Sequence, residues 1–213
     1  MTKMKFVCDA ERCIECNGCV TACKNANETA WGIQRRRVVT IDDGKPTEVS
    51  ISVACMHCDD APCMAVCPTD CFHKTDDGIV LHDKDLCIGC GYCLYACPFG
   101  APQFPKQAAF GERGKMDKCT YCAGGPADTK EEEYEKYGAN RIAEGKLPLC
   151  AEMCATKALM AGPTDTLTDL FRERMEKRGQ SLDAWQPMHN DQSSETAATL
   201  NLDRMAYDAS RQV

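Results

Sequence analysis

Four runs of cysteine constrain this sequence more than any other feature. Cys13, Cys16, Cys19 and Cys23 form the first, Cys55, Cys58, Cys63 and Cys67 the second, and Cys87, Cys90, Cys93 and Cys97 the third. The fourth is split, with Cys119 and Cys122 well ahead of Cys150 and Cys154. The chain has 18 cysteines in 213 residues, far more than an ordinary domain uses as inert packing. Its apolar fraction of 44% counts those cysteines, and without them falls to roughly 36%, with aromatic residues at 7%. The core is thin for this length, so bound metal or disulfides are expected to organise much of the fold.

Spacing decides between those two. The third run, followed by Pro98, reads C-x2-C-x2-C-x3-C-P, the bacterial ferredoxin pattern, in which three thiolates wrap one cubane and the fourth ligates another cluster. Short gaps let consecutive sulfurs converge from one tight loop. The fourth cysteine is expected to begin a helix that carries its sulfur to the neighbouring site, with Pro98 in the first helical turn. The second run varies the motif, with a longer Cys58-to-Cys63 loop and its own Pro68, while the first and fourth have Lys24 and Ala155 in place of the proline. A shift of 74 positions lays Asp9, Cys13, Ile14, Cys16, Cys19, Ala22 and Cys23 on Asp83, Cys87, Ile88, Cys90, Cys93, Ala96 and Cys97, the mark of a duplicated unit. Zinc is the alternative, because paired C-x2-C segments also build tetrahedral sites. It suits the split fourth run alone, and three compact runs fit it poorly. Cys8 and Cys71 are left over and are expected to be buried, inert thiols.

The charge balance, 25 Lys+Arg against 32 Asp+Glu for a net of −7, argues against a nucleic-acid partner. Arg35, Arg36 and Arg37 read as the solvated start of a strand. No stretch approaches the roughly 18 apolar residues that suggest a membrane span, and no apolar segment precedes the first cysteine as a secretory signal would. On this evidence alone the protein reads as soluble and made in a reducing compartment.

Residues 4 to 8 read as a strand, residues 38 to 41 and 48 to 54 as a hairpin turning at Asp43-Gly44, and Phe72 to Leu81 as another turning at Asp76-Asp77-Gly78. Residues 124 to 148 form an acidic insertion, a short surface helix with Tyr134 and Tyr137 on one face or else a solvated loop. Leu167, Leu170, Phe171 and Met175 predict an amphipathic helix over 164 to 178, with Gly179 as its C-cap. From Ser181 onward a polar tail reads as disordered or laid along another subunit, with the second favoured. His57 reads as a surface histidine more than a cluster-tuning one, and Tyr92, Tyr95 and Phe99 as rings shielding a cube. No P-loop, dinucleotide-binding glycine motif, H-E-x-x-H or nucleophile elbow occurs, and no catalytic site is expected.

Four cysteine groups with the fourth split by an insertion resemble the four-cluster iron–sulfur subunits of molybdopterin oxidoreductases. Within that family, Cys13-Ile14-Glu15-Cys16-Asn17-Gly18-Cys19, Cys87-Ile88-Gly89-Cys90-Gly91-Tyr92-Cys93 running on to Cys97-Pro98-Phe99-Gly100-Ala101-Pro102, and Lys118-Cys119-Thr120-Tyr121-Cys122 are most similar to formate dehydrogenase beta subunits. The resemblance covers residues 4 to 162. It implies an α+β fold with little regular secondary structure and two tandem ferredoxin-like domains, each holding two [4Fe–4S] clusters. One domain would comprise residues 1–49 and 103–162, including the insertion, and the other residues 50–102, with 163–213 as a C-terminal helix and partner-binding tail. The ligand sets it implies are Cys13, Cys16, Cys19 with Cys154; Cys119, Cys122, Cys150 with Cys23; Cys55, Cys58, Cys63 with Cys97; and Cys87, Cys90, Cys93 with Cys67. The implied partners are a molybdenum or tungsten bis-pterin catalytic subunit that oxidises formate and an acceptor such as a membrane cytochrome b subunit. Other members of the family serve nitrate, sulfoxide or polysulfide chemistry, and a free polyferredoxin stays open. The missing signal is compatible with a periplasmic location, by co-export with a twin-arginine partner, as well as with the cytoplasm.

Overall fold

The computed structural model describes residues 3–105 and 114–179; the tail expected from Ser181 onward lies outside them. Among the described residues, three two-stranded antiparallel sheets and six mostly short helices alternate along the sequence. The first strand, β1 (Met4–Cys8), is followed by a 3-10 turn at Ala10–Arg12 and then by α1 (Gly18–Ala26). The strands β2 (Arg36–Ile41) and β3 (Val49–Ala54) form the expected hairpin, in register from Arg36 opposite Ala54 to Ile41 opposite Val49. After α2 (Pro62–Ala65), β4 (Phe72–Lys74) and β5 (Val80–His82) form the second hairpin, and α3 (Tyr92–Ala96) follows. The insertion carries α4 (Lys130–Tyr137), and α5 (Leu149–Glu152), β6 (Leu159–Pro163) and α6 (Thr164–Lys177) close the described region.

The partner of β1 is β6, from Met4 opposite Pro163 to Cys8 opposite Leu159, so the two ends of the region that the cysteine runs occupy are stitched together. Thr164 extends the ladder by donating its backbone N–H to the Lys3 carbonyl at 2.9 Å. Two-stranded sheets are marginal alone. Here they pack into small cores in which cysteine itself is a major component, for example Cys19, Cys23 and Cys150 with Ile79, Leu81, Tyr121 and Leu159.

The helix in the insertion is present, with Thr129 accepting the Glu132 N–H as its N-cap. Only Tyr137 of the two tyrosines packs, while Tyr134 is exposed. Gly125 makes room for it, since a Cβ there would lie 2.6 Å from the Tyr137 ring. The C-terminal helix buries Leu167 but leaves Leu170 exposed, and it is held instead by ions. Asp9, 1% exposed, accepts from Arg174 at 3.1 Å and from Arg178 at 2.6 Å.

Two sequence expectations fail here. The fourth cysteine of a run does not begin a helix: Cys23 lies inside α1, Cys97 ends α3, and no helix follows Pro98. The short helix instead precedes the fourth cysteine, because the loop must already have turned through the third. Nor are Arg35 and Arg36 solvated, being 5% and 2% exposed. These arginines meet buried carboxylate, carbonyl and aromatic partners far away in sequence, which a local charge cluster does not reveal.

Candidate metal centres

Each helix in the cysteine runs carries its third cysteine and either contains the fourth or stops at or just short of it. Residues four apart on a helix share a face and are separated by about 6 Å of rise. The pairs Cys19/Cys23, Cys63/Cys67, Cys93/Cys97 and Cys150/Cys154 therefore deliver their two sulfurs to two neighbouring places rather than one. The loops before the helices turn tightly enough to bring the other thiols round. Glu15 and Asn17 take φ of 57° and 56°, and Gly89 and Gly91 take 72° and 84°. A Cβ at Gly89 would stand 2.7 Å from the Gly114 carbonyl oxygen.

The result is four gatherings of thiols. Cys13, Cys16, Cys19 and Cys154 line one cavity of about 330 Å³. Cys55, Cys58, Cys63 and Cys97 line a second of about 350 Å³. Cys67, Cys87, Cys90 and Cys93 line a third of about 280 Å³. Cys23, Cys119, Cys122 and Cys150 are all buried, and Cys23 is pushed upward in pKa first by burial and then by the other three thiols of that set. In every gathering one thiol comes from a different run than the other three. Among the described residues no three His, Cys, Asp or Glu side chains converge on a point that would hold a single metal ion; the sulfurs stand around a space instead. A cube fits that arrangement, where a tetrahedral zinc ion needs closer convergence.

Donors already face the sulfurs. Backbone N–H groups of Ala101, Met116, Tyr121 and Leu159 donate to the Sγ atoms of Cys97, Cys87, Cys119 and Cys154 at 3.4 to 3.5 Å. The Ser52 hydroxyl lies 3.3 Å from Cys19 Sγ. Hydrogen bonds of this kind stabilise thiolate charge. Burial works the other way, pushing Cys63 up to about 11 and Cys93 up to about 12. Such thiols hold their protons at neutral pH, and binding a metal cluster must release them.

The two leftover cysteines are not remote from the sets. Cys8 lines the first cavity and accepts the Ser52 N–H at 3.3 Å, and burial raises it to about 11. Cys71 lines the third cavity with its Sγ 3.4 Å from Cys67 Sγ. Its hydrogen bond to Cys87 raises the Cys71 thiol and lowers Cys87. Both were legible only as spare thiols, since nothing in the spacing marks a fifth sulfur beside a set of four.

Sequence reasoning also missed the buried bases. His57 is 1% exposed, not a surface residue; its Nδ1 accepts the Val80 N–H at 3.0 Å, and burial with nearby Lys118 and Lys5 holds its pKa well below the ordinary value. Lys118 is fully buried beside the cavity of Cys55, Cys58, Cys63 and Cys97, donating to the carbonyls of Val80 and Cys119. Of the rings expected to shield a cube, Tyr92 and Tyr95 are exposed, at 59% and 77%, and line none of the three cavities, whereas Phe99 lines the cavity of Cys55, Cys58, Cys63 and Cys97 while staying partly exposed.

Cysteine gatherings of this kind, fed by short helices and cradled by backbone donors, define an iron–sulfur protein. Residues 47–164 match the family model described as a 4Fe-4S dicluster domain. The sequence is 63% identical over 179 residues to the formate dehydrogenase iron-sulfur subunit of Wolinella succinogenes, covering 83% of this chain and 90% of that one. It is 36% identical over 177 residues to an anaerobic dimethyl sulfoxide reductase subunit of Escherichia coli K12, covering 78% and 76%. With the thiosulfate reductase electron transfer subunit of Salmonella typhi the identity is 37% over 165 residues, 74% of each chain. The protein belongs to the 4Fe–4S dicluster family of iron–sulfur electron-transfer subunits, and its cofactors are [4Fe–4S] clusters. Among the described residues no helix is long and apolar enough to cross a membrane.

Proposed function

We propose that this chain is the electron relay of a formate dehydrogenase complex, taking electrons released by formate oxidation at a molybdenum or tungsten bis-pterin subunit and delivering them to an acceptor such as a cytochrome b subunit. The four [4Fe–4S] clusters supply one-electron transfer when bound. The protein's own residues hold, space and insulate them. Cys13, Cys16, Cys19 and Cys154 hold one cluster, Cys119, Cys122, Cys150 and Cys23 the second, Cys55, Cys58, Cys63 and Cys97 the third, and Cys87, Cys90, Cys93 and Cys67 the fourth. The observation that carries this reading is the crossing of one thiol per set from another run, because one helical turn then fixes the separation of neighbouring clusters.

Burial of Cys23, Cys119, Cys122 and Cys150 keeps water from the second set, while exposed Cys16 places the first set where a partner's redox centre can approach. The two-domain division into 1–49 with 103–162 and 50–102 follows the same pairing of sets, and 163–213 supplies partner-facing surface. Formate as the partner's substrate rests on the 63% identity to the Wolinella subunit against 36% and 37% to the reductase relatives. Catalysis belongs to the partner, which can carry the complex to the periplasm in folded form; a cytoplasmic complex uses the same relay.

The test is purification of the intact complex under anaerobic conditions. The expected result is formate-dependent bleaching of the cluster absorbance in the complex and none in the isolated subunit. A co-purifying subunit that turns over nitrate, a sulfoxide or polysulfide instead of formate overturns the substrate, and stoichiometric zinc without visible absorbance overturns the relay.

A further inference from the structure

Arg36 is among the largest fully buried side chains of the protein, 2% exposed. Its Nη1 donates to the Ser52 hydroxyl at 3.0 Å. Its Nε and Nη2 are buried with no partner in hydrogen-bond geometry. Leaving two donors of a buried, charged guanidinium without acceptors is costly, more so than for a neutral group. A fold that tolerates them has a further acceptor in its working state.

What surrounds the guanidinium identifies that acceptor. It lies 4.3 Å from the centre of the Phe6 ring, which packs at 4.4 Å on Tyr121, and Tyr121 sits between Cys119 and Cys122. Its Ser52 partner lies beside Cys19 of the first set. The strongest electrostatic partners of Arg36 are Cys150, Cys119 and Cys23, three of the four thiols of one set. It stands at the start of strand β2, against that aromatic floor.

We propose that Arg36 is a potential-setting residue for the cluster of Cys23, Cys119, Cys122 and Cys150, its unpaired Nε–H and Nη2–H groups donating to sulfurs of that cluster. The inference rests on the ligand sets proposed above. Hydrogen bonds to sulfur and net charge are the protein's controls over cluster potential. Reduction adds one electron and one negative charge to the cluster, takes no proton from Arg36, and is favoured by a fixed cation with two donors. Arg36 is a positioning and tuning residue, so its signature is one midpoint potential rather than the presence of iron.

The experiment is an anaerobic potentiometric titration, followed by electron paramagnetic resonance, of the iron-replete complex carrying Arg36→Met and, separately, Arg36→Lys. The expected result for Arg36→Met is unchanged iron content and a fall of one midpoint by about 59 mV or more, a tenfold change in the one-electron equilibrium constant. The midpoint that falls belongs to the signal that Cys122→Ser perturbs. Arg36→Lys keeps the charge but not the fork of donors and gives a smaller fall in the same midpoint. If Arg36→Met loses iron, the lysine variant decides by the same reading. Unchanged midpoints in an iron-replete variant overturn the proposal, as does an equal shift of all four. Iron-free or zinc-loaded wild-type protein would instead overturn the cluster assignment, which separates the two failures.

Discussion

Replacing Asp117 by alanine tests the ionic joint that holds the insertion against the cysteine sets. Arg35 donates Nε and Nη2 to the two carboxylate oxygens of Asp117 at 2.7 and 3.0 Å, with the side chains only 2% and 6% exposed. The same guanidinium donates Nη1 to the Tyr137 carbonyl at 2.6 Å, and Lys84 Nζ reaches Asp117 at 3.3 Å. One carboxylate thus neutralises a buried arginine and a partly buried lysine from distant parts of the sequence. Removing one partner of such a pair costs about 3 to 5 kcal/mol, because the other charge stays buried without compensation. The lower end applies, since the Tyr137 carbonyl still engages Arg35. Cluster proteins do not unfold reversibly in two states, so the readout is a rate. If the joint is broken at the transition state, about 3 kcal/mol accelerates unfolding by about two orders of magnitude. Stopped-flow bleaching of the visible absorbance in guanidinium, under anaerobic conditions, measures it. The double variant Arg35→Met/Asp117→Leu recovers much of the loss, because apolar packing removes the stranded charge. An acceleration below about tenfold, equivalent to about 1.4 kcal/mol, would refute the reasoning.

The crossed sets make Cys23→Ser damage the cluster of Cys119, Cys122 and Cys150; spectroscopy that places the damage on the Cys13 cluster instead would sink the assignment. Cys71→Ser keeps the full complement of about 16 irons and 16 sulfides, because Cys71 lies beside a complete set of four; loss of a whole cluster on iron analysis would make it a ligand. Asp9→Asn weakens the hold on Arg174 and Arg178, both partly exposed, by about 1 to 2 kcal/mol, so amide exchange in α6 quickens by roughly tenfold. Unchanged exchange there would show that the Asp9 ion pairs do not hold α6.

What could be read from the sequence was whatever is encoded at short range. The cysteine spacings, the Asp43-Gly44 turn and the periodicity after Pro163 are local patterns, and the hairpins and α6 appear where they were expected. What could not be read depends on partners brought from afar. Arg35 meets Asp117 across 82 residues and Tyr137 across 102, so a run of three arginines looks solvated until the fold is assembled. His57 looks like a surface histidine between two cysteines until Val80 closes on it. Tyr92 and Tyr95 look like cluster shields because they alternate with cysteines, yet α3 turns its cysteine face inward and theirs outward. A helix of five residues has only one buried face, and Cys93 takes it.

The thin core and the buried charges belong to one design. Cores in which Cys63, Cys71, Cys87 and Cys93 pack with Ala61, Phe72, Val80 and Met116 leave little aliphatic surface to drive folding. Two-stranded sheets of three to six residue pairs add little stability of their own. At the same time Arg36 and Lys118 are buried close to cysteine sets, and a buried cation costs free energy unless negative charge compensates it. Cluster ligation needs thiolates, whose negative charge compensates those cations. Buried cations and clusters therefore stabilise one another, and cluster binding adds to the stability of a fold whose apolar core is thin.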